Sequence, residues 1–169
     1  MPSNETRRRA ARDKREGKSA STQAGEFVRE EMDHIRRGKH GARSTKQAIA
    51  IGLSKARRSG VALAPPRRGT TSAETRRKAV RDKARGSTGR KRPNARRAAA
   101  TEEALKREPR RTATHAALSA QARSAARRRT ASQRSKAAQR AVRTKGPRAR
   151  SAAARRAARS RKAHAASAP

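Results

Sequence analysis

Nine of the fourteen apolar residues larger than alanine in this 169-residue chain fall between Gly25 and Pro65. They are Phe27, Val28, Met32, Ile35, Ile49, Ile51, Leu53, Val61 and Leu63. Val, Ile, Leu and Phe together make up 12 residues of the whole chain, about 7%, where a value under roughly 20% with high net charge predicts disorder. The net charge is high: 49 Lys and Arg against 12 Asp and Glu, or +37. One core running through the chain is therefore excluded. The expected architecture is mainly α: a small αα-hairpin over about 25–60, flanked by largely disordered or transiently helical basic arms. No run approaches 18 apolar residues, so no membrane-spanning helix is expected.

The hairpin is read from periodicity and end signals. Val28, Met32 and Ile35 fall at i, i+4 and i+7, one helical face flanked by Phe27. This predicts a helix from Gly25 to Arg37, with Gly38 as its C-cap. A second helix runs from Thr45 to Ser59. Ser44 and Gln47 form a capping box, Ile49, Leu53 and Ala56 repeat on one face, and Gly52 leaves room for a close approach. Gly60 and then Pro65–Pro66 end it. Phe27, Val28, Met32, Ile35, Ile49 and Leu53 form the expected core. About 40 residues is near the limit for independent folding, so either marginal stability or self-association through the hairpin is expected.

Composition divides the chain into a basic N-terminal arm (1–24), the hairpin (25–65), a basic linker (66–108) and an Arg/Ala-rich tail (109–169). An internal repeat links the first arm and the linker. Glu5–Gly17 and Glu74–Gly86 match at nine of 13 positions without gaps. Each copy reads as a short cationic helix with no apolar stripe worth burying. The repeat is either a duplicated phosphate-binding arm, using Arg7, Arg8 and Arg9 in one copy and Arg76, Arg77 and Lys78 in the other, or drift within a basic sequence. The tail holds 18 Lys or Arg and no acid. Its alanines and arginines favour helix, but repulsion and lack of burial oppose it.

Charge blocks of this kind point to a polyanion. Arg123, Arg127, Arg128, Arg129, Arg155 and Arg156 are representative phosphate contacts in the tail. Arg36, Arg37, Lys39, Arg43 and Lys46 cluster at the hairpin loop, as phosphate contacts or as a solvated face. A single aromatic, Phe27, gives no stacking platform, which disfavours single-strand readers. Lys91–Arg92–Pro93 is similar to minor-groove hooks but lacks their Arg-Gly-Arg-Pro core. Gly17-Lys18-Ser19 ends like a phosphate loop, yet Arg12 stands where the upstream Gly is required. No cysteine is present. His34, His40, His115 and His164 lack metal-ligand spacing. His34 reads as an exposed helix residue, and His40 as a phosphate contact or a bystander. Glu30–Glu31 and Glu102–Glu103 read as helix surface charge. No catalytic, cofactor or metal site is expected.

The stretch from Gly25 to Ser54, with its Gly38-Lys39 loop and Ser44-Thr45-Lys46-Gln47-Ala48-Ile49-Ala50-Ile51-Gly52-Leu53-Ser54, resembles a bacterial family of small basic proteins. Members are carried as a domain of unknown function, and longer ones are often labelled plasmid stabilization proteins. The Arg/Ala tail is similar to bacterial linker-histone-like tails. The resemblance implies a bacterial, cytoplasmic protein with a plasmid or nucleoid role, and no catalytic residues. The residues and the resemblance together predict a non-enzymatic, sequence-tolerant protein that binds duplex DNA by phosphate neutralisation and bridging. The rival readings are an RNA- or ribosome-associated protein, and a protein-interaction module of a partition or antitoxin system.

Overall fold

The computed structural model describes residues 2–88 and 94–166. It corrects the expected hairpin with disordered arms. The described residues are all-α, with seven α-helices and one 3₁₀ turn joined by loops. These are α1 (Asn4–Arg15), α2 (Ala20–Arg36), α3 (Thr45–Arg58), α4 (Ala73–Ser87), α5 (Ala95–Lys106), the 3₁₀ turn (Arg111–Ala113), α6 (His115–Arg127) and α7 (Ala131–Ala166). Two compact units result, Met1–Gln121 and Ala122–Pro169, with the division inside α6.

Each helix of the first unit starts where a small polar side chain can cap it. The hydroxyls of Ser3, Ser19, Ser44 and Ser72 accept from the backbone N–H three residues on, starting α1 to α4. Such caps are each worth about 1 kcal/mol. At α3 the capping box is shifted by one residue, because Gln47 Oε1 accepts from the N–H of Arg43, 2.8 Å away. Helix α2 begins at Ala20, five residues before the expected start, because Ser19 caps it and Gly25 is carried inside. Helices α1, α2 and α3 end in the Schellman pattern at Gly17, Gly38 and Gly60. Lys18 donates to Asp13 O, Lys39 to His34 O and Val61 to Ala56 O.

The hairpin of α2 and α3 is present, but it is the middle of a larger packing. Helix α1 packs on α2, α4 packs on α3, and the 3₁₀ turn packs on both hairpin helices. The sequence suggested too little apolar material for this because it counted large side chains. Seven of the eleven buried apolar residues are alanines: Ala10, Ala24, Ala42, Ala48, Ala56, Ala79 and Ala113. Alanine buries little area, yet it lets helix backbones come close and fixes almost no side-chain entropy. Glycine carries this further. A Cβ on Gly52 would lie 2.7 Å from Val28 Cα, and one on Gly86 would lie 1.9 Å from Arg57 O.

The apolar residues fall into two clusters. Phe27, Ala10, Ala24, Ala56 and Val61 form one, flanked by Ala20, Leu53 and Leu63. Met32, Ile35, Ala42, Ala48 and Ala113 form the other, flanked by Val28, Ile49 and Leu118. Of the expected core, Phe27, Met32 and Ile35 are fully buried, and Val28, Ile49 and Leu53 are half-buried. Phe27 is covered within its own chain, at 1% exposure.

The repeat therefore has a structural role that its composition concealed. Ala10 and Ala79 occupy the same position in the two copies, and both are buried. Polar contacts add to each docking. Arg9 Nε lies 2.7 Å from Glu26 Oε2, and Ser3 N–H donates to Glu30 Oε1 at 2.7 Å, tying α1 to α2. Arg58 pairs with Asp82 at 3.8 Å between α3 and α4.

In the second unit α7 is broken at Gly146, whose φ is +65°, with Pro147 following. The stretches on either side are helical. The run 147–166 is about 30 Å long at 1.5 Å per residue and carries seven bases and no acid.

Candidate nucleic-acid interface and a buried polar cluster

The cations singled out in the sequence fall into different environments. On α1, Arg7 and Arg8 are exposed, while Arg9 is half-buried and held by Glu5 and Glu26. On α4, Arg77 and Lys78 are exposed, with Lys78 2.6 Å from Glu74. Arg76 is half-buried, and its Nε has no hydrogen-bond partner. In the second unit Arg123, Arg127, Arg128, Arg129, Arg155 and Arg156 are all exposed. No acid lies in 122–169 to compete for them. Lys91–Arg92–Pro93 lies outside the described residues.

At the hairpin loop the expected group is only partly brought together. Arg37, Lys39, Arg43 and Lys46 are exposed. Arg36 instead turns its Nε onto the carbonyl of Ala113, at 3.0 Å. The loop is not open to solvent on all sides, because the segment from Leu105 to Ala113 lies across it. Gly41 N–H donates to Leu105 O at 2.8 Å, and Ala42 N–H to Pro109 O at 3.0 Å. Thr45 Oγ1 donates to Thr112 O at 2.7 Å. A Cβ on Gly41 would lie 1.8 Å from Glu108 O, so only glycine permits this contact. The strap also brings Arg110 to the loop, its guanidinium 2.9 Å from where a Cβ on Gly38 would sit. Arg57 is buried at the end of α3 and donates to Ala64 O at 3.2 Å. Burial pushes its pKa down, against the pull of Asp82.

Beneath this loop is a polar cluster that the sequence reading missed. Glu30 and Glu31 are buried, not surface charge, and Glu31 is fully enclosed. Lys55 Nζ lies 2.5 Å from Glu31 Oε2. His40 is buried, with Nε2 3.2 Å from Glu31 Oε1. His34 is half-buried, 3.9 Å from Glu30 Oε1, and its ring meets that of His40 edge to face at 6.0 Å. Burial raises the Glu30 pKa, but hydrogen bonds from Ser3 and the charges of His34 and Lys55 outweigh it, and the net shift is downward. For His34, burial first and then Lys55 and Lys39 push the pKa down. The signal available in the sequence was the Glu31-x-x-His34 spacing, which places both side chains on one helical face.

Residues 13–68 are similar to a family described as a family of unknown function, DUF6496. The match takes in the end of α1, the α2–α3 pair and Pro65–Pro66. No curated protein and no solved structure matched the chain. Among the described residues no helix is long and apolar enough to cross a membrane.

Proposed function

We propose that this chain is a non-enzymatic, sequence-tolerant DNA-binding protein of nucleoid-associated or plasmid-maintenance type, working in the bacterial cytoplasm. It neutralises and bridges duplex phosphates. The observation that carries this reading is the charge of the second unit: 16 bases and no acid over 122–169, with Arg127, Arg155 and Arg156 exposed on helices and Arg128 and Arg129 exposed in the turn after α6. The first unit adds exposed bases on α1, the α2–α3 loop and α4, among ion pairs that consume others.

The numbers suit tracking rather than saturation. A duplex presents about one phosphate per 1.7 Å, so the roughly 30 Å run at 147–166 faces about 18 phosphates with its seven bases. Contacts with phosphate position a protein but read no sequence. The chain offers one aromatic, so base stacking supplies little. Structured RNA is the rival ligand for the same charge. Competition between duplex DNA and structured RNA at about 150 mM salt separates them: preference for the duplex is expected, and preference for RNA would replace DNA with RNA in this reading.

A further inference from the structure

We propose that Glu31, His34 and His40 form a binding site for a divalent transition-metal ion of zinc type. Three observations carry it independently of the DNA reading. First, the donor atoms are together: one carboxylate oxygen and one ring nitrogen from each histidine lie within 4.8 Å of one another. Zn²⁺ bonds of about 2.0–2.1 Å give a tetrahedral edge of about 3.4 Å, so closure takes side-chain movements of about 1.5 Å or less.

Second, Glu31 Oε1 is buried without a hydrogen-bond partner. Its neighbour, His40 Nε2, stands 3.2 Å away but does not hydrogen-bond to it. The other ring nitrogen, Nδ1, faces the carbonyl of Gly41 at 3.0 Å. A carbonyl only accepts, so Nδ1 carries the proton. That leaves Nε2 as the ring nitrogen beside Glu31 Oε1. A buried carboxylate oxygen left without a hydrogen bond is costly, and a cation held between Oε1 and the ring nitrogens would satisfy it. A ring N–H held by a backbone carbonyl is also the usual outer support of a metal-binding histidine.

Third, the charge balance fits. Lys55 acts on Glu30 and engages the Oε2 side of Glu31, leaving the Oε1 side to the histidines. The cluster holds two buried carboxylates, and buried charge is costly unless compensated. A divalent ion at Oε1 supplies that compensation. His34 is partly open to solvent, which gives the ion a way in and leaves water as the fourth ligand. The bound ion would join α2 to the loop at His40, and through Gly41 and Ala42 to the strap at Leu105–Ala113.

The test uses the full chain without an affinity tag, stripped with chelator and titrated with Zn²⁺. We expect saturable binding of one ion and a Tm rise of about 5 °C or more at 100 times the Kd. Co²⁺ should give the visible bands of a four-coordinate site. His34→Gln and His40→Gln should each lose binding at least tenfold, while His115→Gln keeps it. Because a variant in a buried cluster can fail to fold, the histidine ring resonances of the unaltered chain provide a second reading. Zn²⁺ should shift His34 and His40 and leave His115 and His164 in place. Absence of saturable binding, equal binding by the His34→Gln/His40→Gln double variant, or shifts at His115 or His164 instead would overturn the site.

Discussion

In Met1–Gln121, 33 bases face 12 acids; in Ala122–Pro169, 16 bases face none. The first unit spends part of its charge on its own structure. Arg9 holds Glu26, Lys18 holds Asp13 and Lys55 holds Glu31, while Arg36 and Arg57 donate to backbone carbonyls. In the second unit Arg128 donates to Ser124 Oγ, Arg134 to Arg129 O and Arg150 to Gly146 O. Charge in the first unit is therefore partly structural, whereas no Asp or Glu offsets the charge of the second. The units differ in packing too. All the fully buried residues among those described belong to the first.

The strongest way to break this contrast is to remove the second unit. A chain ending at Gln121 should keep its fold and lose most of its salt-sensitive binding. If six to ten phosphates are engaged, the full chain loses about 10³–10⁵ in affinity between about 50 and 200 mM salt, and each contact removed flattens the slope by about 0.9. An unchanged slope in the shortened chain would place the binding charge in the first unit. Next in size is Phe27→Ala, which should cost about 3–5 kcal/mol in urea unfolding of the first unit. Val142→Ala, on an exposed residue of the second unit, should stay within about 0.5 kcal/mol. Equal effects would erase the packing difference.

Smaller effects sharpen the picture of the first unit. Gly52→Ala pushes a methyl toward Val28 Cα and should cost about 1–3 kcal/mol. A neutral result in thermal unfolding would mean the helices can separate freely. Asp82→Asn removes the partly exposed pair with Arg58 and should cost under about 1 kcal/mol. At the bottom of the scale, Arg155→Gln should lower the salt slope by no more than about 0.9. A far larger loss from that one change would argue for a specific contact.

The parts of the fold written in local signals were legible. Ser44 with Gln47 marked the start of α3, Gly38 the end of α2, and the spacing of Val28, Met32 and Ile35 the buried face. The docking of α1 and α4 was not legible, because Ala10 and Ala79 look like any alanine in an Arg/Ala-rich helix. Small residues give little hydrophobic signal, and their effect comes from the close approach they allow. The repeat itself was visible, but one of its shared residues has two roles. Gly17 ends α1 with φ +69°, whereas its counterpart Gly86 sits inside α4 against Arg57 O. The polar cluster was hidden for another reason. Glu30 and His34 are spaced like an ordinary surface pair, and His40 joins them only when the loop after Gly38 folds back.

The most direct measurement is the equilibrium affinity of the full chain for two duplexes of unrelated sequence, followed by fluorescence anisotropy from about 50 to 200 mM salt. Straight lines of log affinity against log salt are expected, nearly the same for both duplexes, with a slope of about −5 or steeper for six or more phosphates engaged. A slope shallower than about −1, or one duplex bound far more tightly than the other, would contradict this expectation.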